Sequence, residues 1–595
     1  MMSTKTELLD EAVERVWERL SEDQAPQVEE FVRQYYSWVA TEDLSGLSPI
    51  DIYGAAVAHW NFALQRDPGT PKLRVYNPRF EEYRWQTTHT VIEIVNEDRP
   101  FLVDSVRMEI NRQGYSIHRM IHPVMNVRRD EEGRLTEVLA PEAEEEGASQ
   151  ESVIHVEVDR HTETEILEEL QNGLERVLDD VRVAVDDWPK MREQVEDIIS
   201  GLDEAELPVG EEDVTEAKAF LKWLDENHFT FTGYREYDLV TEEGEDVLRV
   251  VPGSGLGILQ DKKSEDVSQS FSKLPPEARS LARERRLLNL TKANSRSTVH
   301  RPSQLDYVGV KKFDASGEVV GERRFLGLYT FSAYSESTLE IPILRRKVKY
   351  CLEEAGFPPD SHNEKDLVEI LETFPRDEMF QVRKQELYEI STGILHLHER
   401  QRVRLFVRPD AYGRFLSCLV YVPRDHYNTK IRQRMQKILK EAFNGKDVEF
   451  NVRLSESVLA RLHFVIRTTP DDLPDYDVED VERQLAQSIR SWTDNLYDAL
   501  VEHCGEERGT ELYHRYQEAF PPGYRHDYLP RTAVSDIDKI EGLDSEDMLG
   551  MNLYRPLEVP ENFLRFKLYR SGGKIPLSSV MPLLEEMGVR VVDEH

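Results

Sequence analysis

The sequence predicts an α+β multidomain protein, and three observations carry that prediction. From His89 to about Val127, strand-like and helical patterns alternate at short range. From about Val214 to residue 335 most segments read as strands. Between and beyond these lie stretches with apolar residues at helical spacing and no strand alternation, near 342–399 and 478–520. The expected architecture is a set of small αβ units, a central mixed-sheet domain and helical connectors.

The first 66 residues read as three amphipathic helices. Leu8, Ala12, Val16 and Leu20 share one face, as do Val28, Phe31, Val32 and Tyr35, and Ser48-Pro49 is a cap and first turn ahead of IDIYGAAVAHWNFAL. HTVIEIVNED then reads as a strand, FLVDSVRMEINRQG as a helix ending at Gly114, and YSIHRMIHPVMNV as a strand. The acidic stretch 140–152 has no apolar period and is expected to be an exposed loop. The strand SVIHVEVDR and one long helix over about 163–200 close the unit. A helix near Val214 presents Ala217, Phe220, Leu221 and Leu224, and VKKFDASGEVVGERRFLGLYTF reads as a hairpin turning at Ser316-Gly317. Pro342 opens another helix, and Pro358-Pro359 separates it from two more. RVRLFVRP and RFLSCLVYVP read as strands before a helix capped at Asn428 or Thr429, and VEFNVRLS and ARLHFVIRT complete a unit by Thr469. The last segment repeats the pattern seen near His89: strand NFLRFKLYR, helix PLSSVMPLLEEMG, strand VRVVDEH. Such a half-sheet cannot bury its apolar face alone, so the chain is expected to stop within a domain.

Composition narrows function. The 595 residues hold 75 Lys plus Arg against 114 Asp plus Glu, a formal charge of −39. That surface repels a polyanion, so neither nucleic acid nor an anionic membrane is an expected partner. With 39% hydrophobic residues the chain can pack several cores. Cys351, Cys418 and Cys504 form no CxxC pair and no uncharged run reaches bilayer length, so reduced thiols and a soluble cytoplasmic protein are expected. Charged residues make up 32% of the chain and the acidic excess is spread along it, which raises the hypothesis of adaptation to a high-salt cytoplasm. An ordinary acidic protein is the alternative.

Few motifs carry chemistry. Gly253, Gly255 and Gly257 follow a strand, but the third glycine comes one place too early for a dinucleotide fingerprint, and a tight turn is the simpler reading. His396 and His398 lack the further ligands of a metal set, and no metal is expected. Lys430, Arg432, Arg434, Lys437 and Lys440 read as the solvated side of a helix. At the NEDRP turn, Asn96 and Asp98 and the first helical amides, at Leu102, Val103, Asp104 and Ser105, form a candidate carboxylate-binding site for an amino-acid effector. The simpler reading is that Asp98 or Asp104 caps the helix.

The stretch VNEDRPFLVDSVRMEINRQGYSIHRMIHPVMNVRRD resembles the first ACT domain of the large bacterial NAD-specific glutamate dehydrogenases. RVYNP, LRVVPGSGLGILQD, FLGLYTFSAYSESTLEIPILRRKV and RLFVRPDAYGRFLSCLVYVPRDHYNTKIRQRM resemble the same family, in order. The resemblance implies ferredoxin-like ACT modules at 30–200, 402–470 and, incomplete, 558–595. It also implies a helical segment at 1–29, a sheet domain at 214–350, a helical connector at 351–400 and a helical region at 471–545. A PAS- or GAF-like sensor is a further reading of the sheet domain. The resemblance further implies a regulatory and oligomerising portion, inactive alone, with the catalytic domain and NAD lying outside this chain. A homo-oligomer is the expected assembly. A free-standing amino-acid-sensing ACT protein is the alternative. ACT modules that bind ligands usually carry glycine after the turn proline, whereas here Phe101 follows Pro100. That bulk favours a role of the first module in assembly over sensing.

Overall fold

A computed structural model describes residues 5–44, 46–141, 143, 147–204, 206–260, 266–397, 400, 402–455, 457–469, 472–543, 548–555 and 564–592. The chain forms two compact units, 1–398 with 410–414, and 399–409 with 415–595. No helix among the described residues is long and apolar enough to cross a membrane.

The first unit opens with helices Lys5–Arg19, Ala25–Tyr35 and Pro49–Ala63. The Ser48 hydroxyl accepts the Asp51 amide at the start of the third. The first sheet follows: β1 Lys72–Tyr76, β2 Thr90–Glu97, β3 Ile117–Ile121, β4 Val124–Arg129, β5 Leu135–Val138 and β6 Ser149–Val158. Its order is β1-β2-β6-β4-β5, with β3 also on β6. Alternation splits the sheet's side chains between two faces. Ile92, Ile94, Ile154 and Val156 meet helices Leu102–Arg112 and Thr164–Asp186. On the other face, Met125, Val127 and Val153 share a core with Leu8, Ala12, Val16, Phe31 and Tyr35. The apolar stripes of helices Lys5–Arg19 and Ala25–Tyr35 thus belong to the same core as this sheet, so the described part of segment 1–29 packs with the first module.

The helix expected over 163–200 is two, Thr164–Asp186 and Trp188–Glu204. The break falls at Asp187, two positions before Pro189, which cannot continue an amide ladder.

After helix Glu211–Trp223 come β7 Phe229–Glu242, β8 Glu245–Val250, β9 Leu256–Gly257, β10 Leu288–Arg296, β11 Gln304–Phe313 and β12 Val319–Tyr329. The order is β10-β11-β12-β7-β8, with β9 on β7. The expected mixed sheet is antiparallel in all of these pairings, because the strands are joined as hairpins or return after short helices. The Asp314 carboxylate accepts the Ser316 and Glu318 amides at the β11–β12 turn, and Gly317 supplies the positive φ of 78°.

In the second unit β13 Arg404–Pro409, β14 Phe415–Pro423, β15 Val448–Arg453 and β16 Leu459–Arg467 pair in the order β13-β14-β16-β15. Helix Thr429–Ala442, capped by the Asn428 side chain on the Ile431 amide, buries Ile431, Met435 and Leu439 on this sheet. Val481 and Leu485 of helix Val478–Ile489 lie in the same core, so this helix belongs to the module rather than to a separate helical region from 471. Then β17 Leu549–Tyr554 pairs with β18 Arg565–Arg570, and helix Leu577–Glu586 follows. Residues 589–592 of the expected strand VRVVDEH are not in a strand, and Asp593–His595 lie outside the described residues. Met551 and Leu553 are 58% and 61% exposed, so the hairpin keeps apolar side chains in solvent.

One plan recurs. The antiparallel pairs β1–β2, β13–β14 and β17–β18 are each followed by a helix, in the second case after the 3-10 turn Arg424–His426. In the first two modules the pair's leading strand takes the sheet edge and its second strand lies beside the module's last strand.

Candidate functional site

The NEDRP turn projects from β2 into helix Leu102–Arg112. Neither Asp98 nor Asp104 caps that helix: no side chain among the described residues does, and Phe101 holds the capping position at φ 68°. The Asp98 carboxylate instead accepts the Ser152 hydroxyl at 2.6 Å, while its amide continues the sheet toward the Gln150 carbonyl. Asn96 is buried within β2 opposite Ser152. The space above the turn is filled from within the same unit. The loop joining β10 to β11 brings Val299 into the core beside Leu102 and Val106, and His300 against the Phe101 ring, with centroids 4.8 Å apart. Ser105 donates to the Phe101 carbonyl at 2.6 Å and accepts the His300 amide at 3.0 Å. Leu102 and Ser105 are thus buried, while Asp104 stays exposed with a carboxylate oxygen 3.9 Å from His300 Nδ1. The six candidate residues thus run from the end of β2 into the helix: Asn96 and Asp98 lie by Ser152 of β6, while Leu102, Asp104 and Ser105 lie by the β10–β11 loop.

The glycine loop has a structural explanation. The Asp187 carboxylate accepts the Gly257 amide at 2.9 Å and the Gln260 side-chain amide at 3.0 Å. Burial raises the Asp187 carboxyl, but Lys190 and these donors outweigh it and lower its pKa. Gly257 has φ 59°, and a Cβ there would stand 2.2 Å from the Thr232 carbonyl oxygen. The amides serve an internal carboxylate, the strand pairs antiparallel, and the described residues 258–260 and 266–268 form no helix, so this loop does not fit a dinucleotide's phosphates. His396 is the exposed C-cap of helix Lys384–Leu395, and His398 lies outside the described residues. On helix Thr429–Ala442, Lys430, Arg434, Lys437 and Lys440 are exposed and Arg432 lies over the Phe450 ring.

The sequence reading missed a polar row on the second face of the first sheet. Antiparallel register sets Arg74 of β1 opposite Glu93 of β2, and Glu93 opposite His155 of β6. Helix Pro49–Ala63 lowers His59 onto the row, and Glu93, His155 and His59 are all buried. Arg74 Nε and the Tyr76 hydroxyl donate to Glu93 at 2.7 and 3.0 Å. Burial pushes the His59 imidazole down to about 4. Burial raises the Glu93 carboxyl, but His59, His155 and Arg74 outweigh it and hold it at about 2. For His155 burial acts downward, and the neighbouring Glu157 and Glu93 outweigh it and raise the pKa. The only sequence signal was a glutamate inside the apolar strand TVIEIV and a histidine inside VIHVEV, two positions where a charge inside a sheet needs a partner.

Comparison with known proteins supplies the family. Regions described as glutamate dehydrogenase ACT1, ACT2 and ACT3 domains match residues 31–174, 404–493 and 548–595. Glutamate dehydrogenase helical motifs 1 and 2 match 341–400 and 499–543. An NAD-specific glutamate dehydrogenase of Halomonas elongata is 42% identical over 593 residues, covering 99% of this chain and 37% of that protein. The Pseudomonas aeruginosa NAD-specific glutamate dehydrogenase is 38% identical, covering 97% of this chain and 36% of that protein. The Mycobacterium tuberculosis protein of the same name is 28% identical over 85% of this chain and 30% of its own length. The chain thus spans just over a third of the length of the first two relatives. These matches correct the expectation of a regulatory and oligomerising portion set apart from catalysis, and that of a free-standing amino-acid sensor. Identity of 42% extends over 99% of the chain to an NAD-specific glutamate dehydrogenase, and nothing in that match assigns this chain inactivity or places NAD outside these residues. With five glutamate dehydrogenase regions in order along it, this chain belongs to the large bacterial NAD-specific glutamate dehydrogenase family.

Proposed function

We propose that this chain works in the NAD-dependent oxidative deamination of L-glutamate, in which glutamate, NAD and water give 2-oxoglutarate, ammonia and NADH. The observation that carries the proposal is the ordered set of glutamate dehydrogenase regions between residues 31 and 595, joined to 42% identity across almost the whole chain. The plan of a strand pair followed by a helix, repeated three times, supports it, since the repeats fall within the three ACT-domain matches. Disrupting the gene in its host tests it. NAD-linked glutamate oxidation in extracts should fall and return with the intact gene, while NADP-linked oxidation stays level. NAD-linked activity that survives the disruption unchanged would overturn the proposal.

For the NEDRP turn we favour assembly over effector binding. What supports this is the packing of Val299 and His300 against Phe101, Leu102 and Ser105 at the head of the helix. Calorimetry with free amino acids should show no saturable heat at this turn, and saturable binding lost in Asp98→Ala would reverse the assignment. Exposed Met551, Leu553 and Phe566 on β17 and β18 support self-association into a homo-oligomer. A PAS- or GAF-like character of the 214–350 domain is supported by its topology, in which the first two long strands and the last three form one antiparallel sheet with helices between the two groups.

A further inference from the structure

The row on the second face of the first sheet holds two imidazole nitrogens with no hydrogen-bond partner among the described residues, His59 Nε2 and His155 Nδ1, each inside a residue no more than 1% exposed. Buried ring nitrogens without partners are rare because nothing replaces the water they lose. Here one ligand atom each of His59, His155 and the Glu93 carboxylate lies within 4.8 Å of the other two. His155 Nδ1 is 3.7 Å from Glu93 Oε1. A tetrahedral ion with bonds of about 2.1 Å needs ligand atoms about 3.4 Å apart, a contraction that side-chain rotation can supply.

The surroundings match how metal-bound histidines are held, each ring presenting one nitrogen to the ion and tying the other to a partner. His59 Nδ1 lies 3.0 Å from the Tyr35 hydroxyl, and His155 Nε2 faces Glu157 Oε1 at 3.6 Å. Glu157 is itself fixed by the Arg119 guanidinium and the Thr87 hydroxyl. Glu93 is oriented by Arg74 and Tyr76.

We propose that His59, Glu93 and His155 form a buried site for one divalent transition ion, with Zn²⁺ as the chemical class the N,N,O donor set suits. Two strands and a helix distant in sequence meet at these three residues, so the ion would pin the N-terminal helices to the sheet. The competing occupant is a proton on His155, shared between Glu93 and Glu157, because Arg74 and Arg119 already balance the two carboxylates.

The test uses the full chain, stripped with a chelator and titrated with Co²⁺. The expected result is one equivalent per chain with the visible absorption of a tetrahedral N,O site, displaced by Zn²⁺, and a rise in melting temperature on binding. His59→Gln, checked for native circular dichroism, should abolish that absorption, and His118→Asn at the exposed sheet edge should leave it intact. A wild-type chain that shows no saturable tetrahedral Co²⁺ spectrum overturns the proposal and leaves the shared proton. A spectrum unchanged in folded His59→Gln overturns it as well.

Discussion

At the scale of single residues, Phe101 shows a conflict resolved by packing. Its φ of 68° suits glycine, and an L side chain there is strained by about 1 kcal/mol. Contact with His300 and its place against the Leu102–Val106 core offset that strain. Phe101→Ala loses the packing and keeps the strain, so it should destabilise by about 2 kcal/mol. Phe101→Gly loses the same packing but relieves the backbone, and should be the milder of the two by about 1 kcal/mol. Denaturant unfolding of both variants checks the order, and a glycine variant less stable than the alanine variant would contradict this account. The bulk of Phe101 was plain in the sequence. Its partner was not, since His300 lies almost two hundred positions away and nothing local marks the pair.

At the scale of elements, Asp187 joins three pieces: it ends one helix, precedes another and accepts two hydrogen bonds from the glycine loop. A carboxylate 6% exposed with two amide donors and Lys190 Nζ at 2.9 Å cannot be removed without orphaning those donors. Asp187→Ala should therefore cost about 2 kcal/mol and speed hydrogen exchange at the Gly257 amide ahead of the sheet amides. Unaltered protection at Gly257 would show that the loop holds without the carboxylate. The helical period ran straight through Asp187, which is why one helix was expected, for periodicity reports which positions are buried and does not mark a break between two helices. Strand positions were legible from alternation, but the first module's leading strand β1 was not read, because five half-buried residues give too short a pattern to fix an edge strand.

At the scale of the whole molecule, a formal charge of −39 makes self-repulsion a general term against the compact state. Screening shortens from about 30 Å at 0.01 M salt to about 3 Å at 1 M, so the repulsion between well-separated carboxylates fades first. Exposed pairs such as Arg531–Glu502 weaken too, but each contributes little to begin with. The melting temperature should rise between low and molar KCl, and a flat or falling profile would remove the salt-adaptation hypothesis. Composition, charge, most helices and strands, the solvated basic helix and the glutamate dehydrogenase resemblance were all determined by the sequence alone, because each depends on local period or on ordered similarity. Tertiary structure alone decided which face of the first sheet the N-terminal helices cover, what fills the NEDRP turn, and that Arg74, Glu93, His155 and His59 meet. Those outcomes depend on strand register and on loops closing over long separations, and a register is a relation between segments that neither segment encodes by itself.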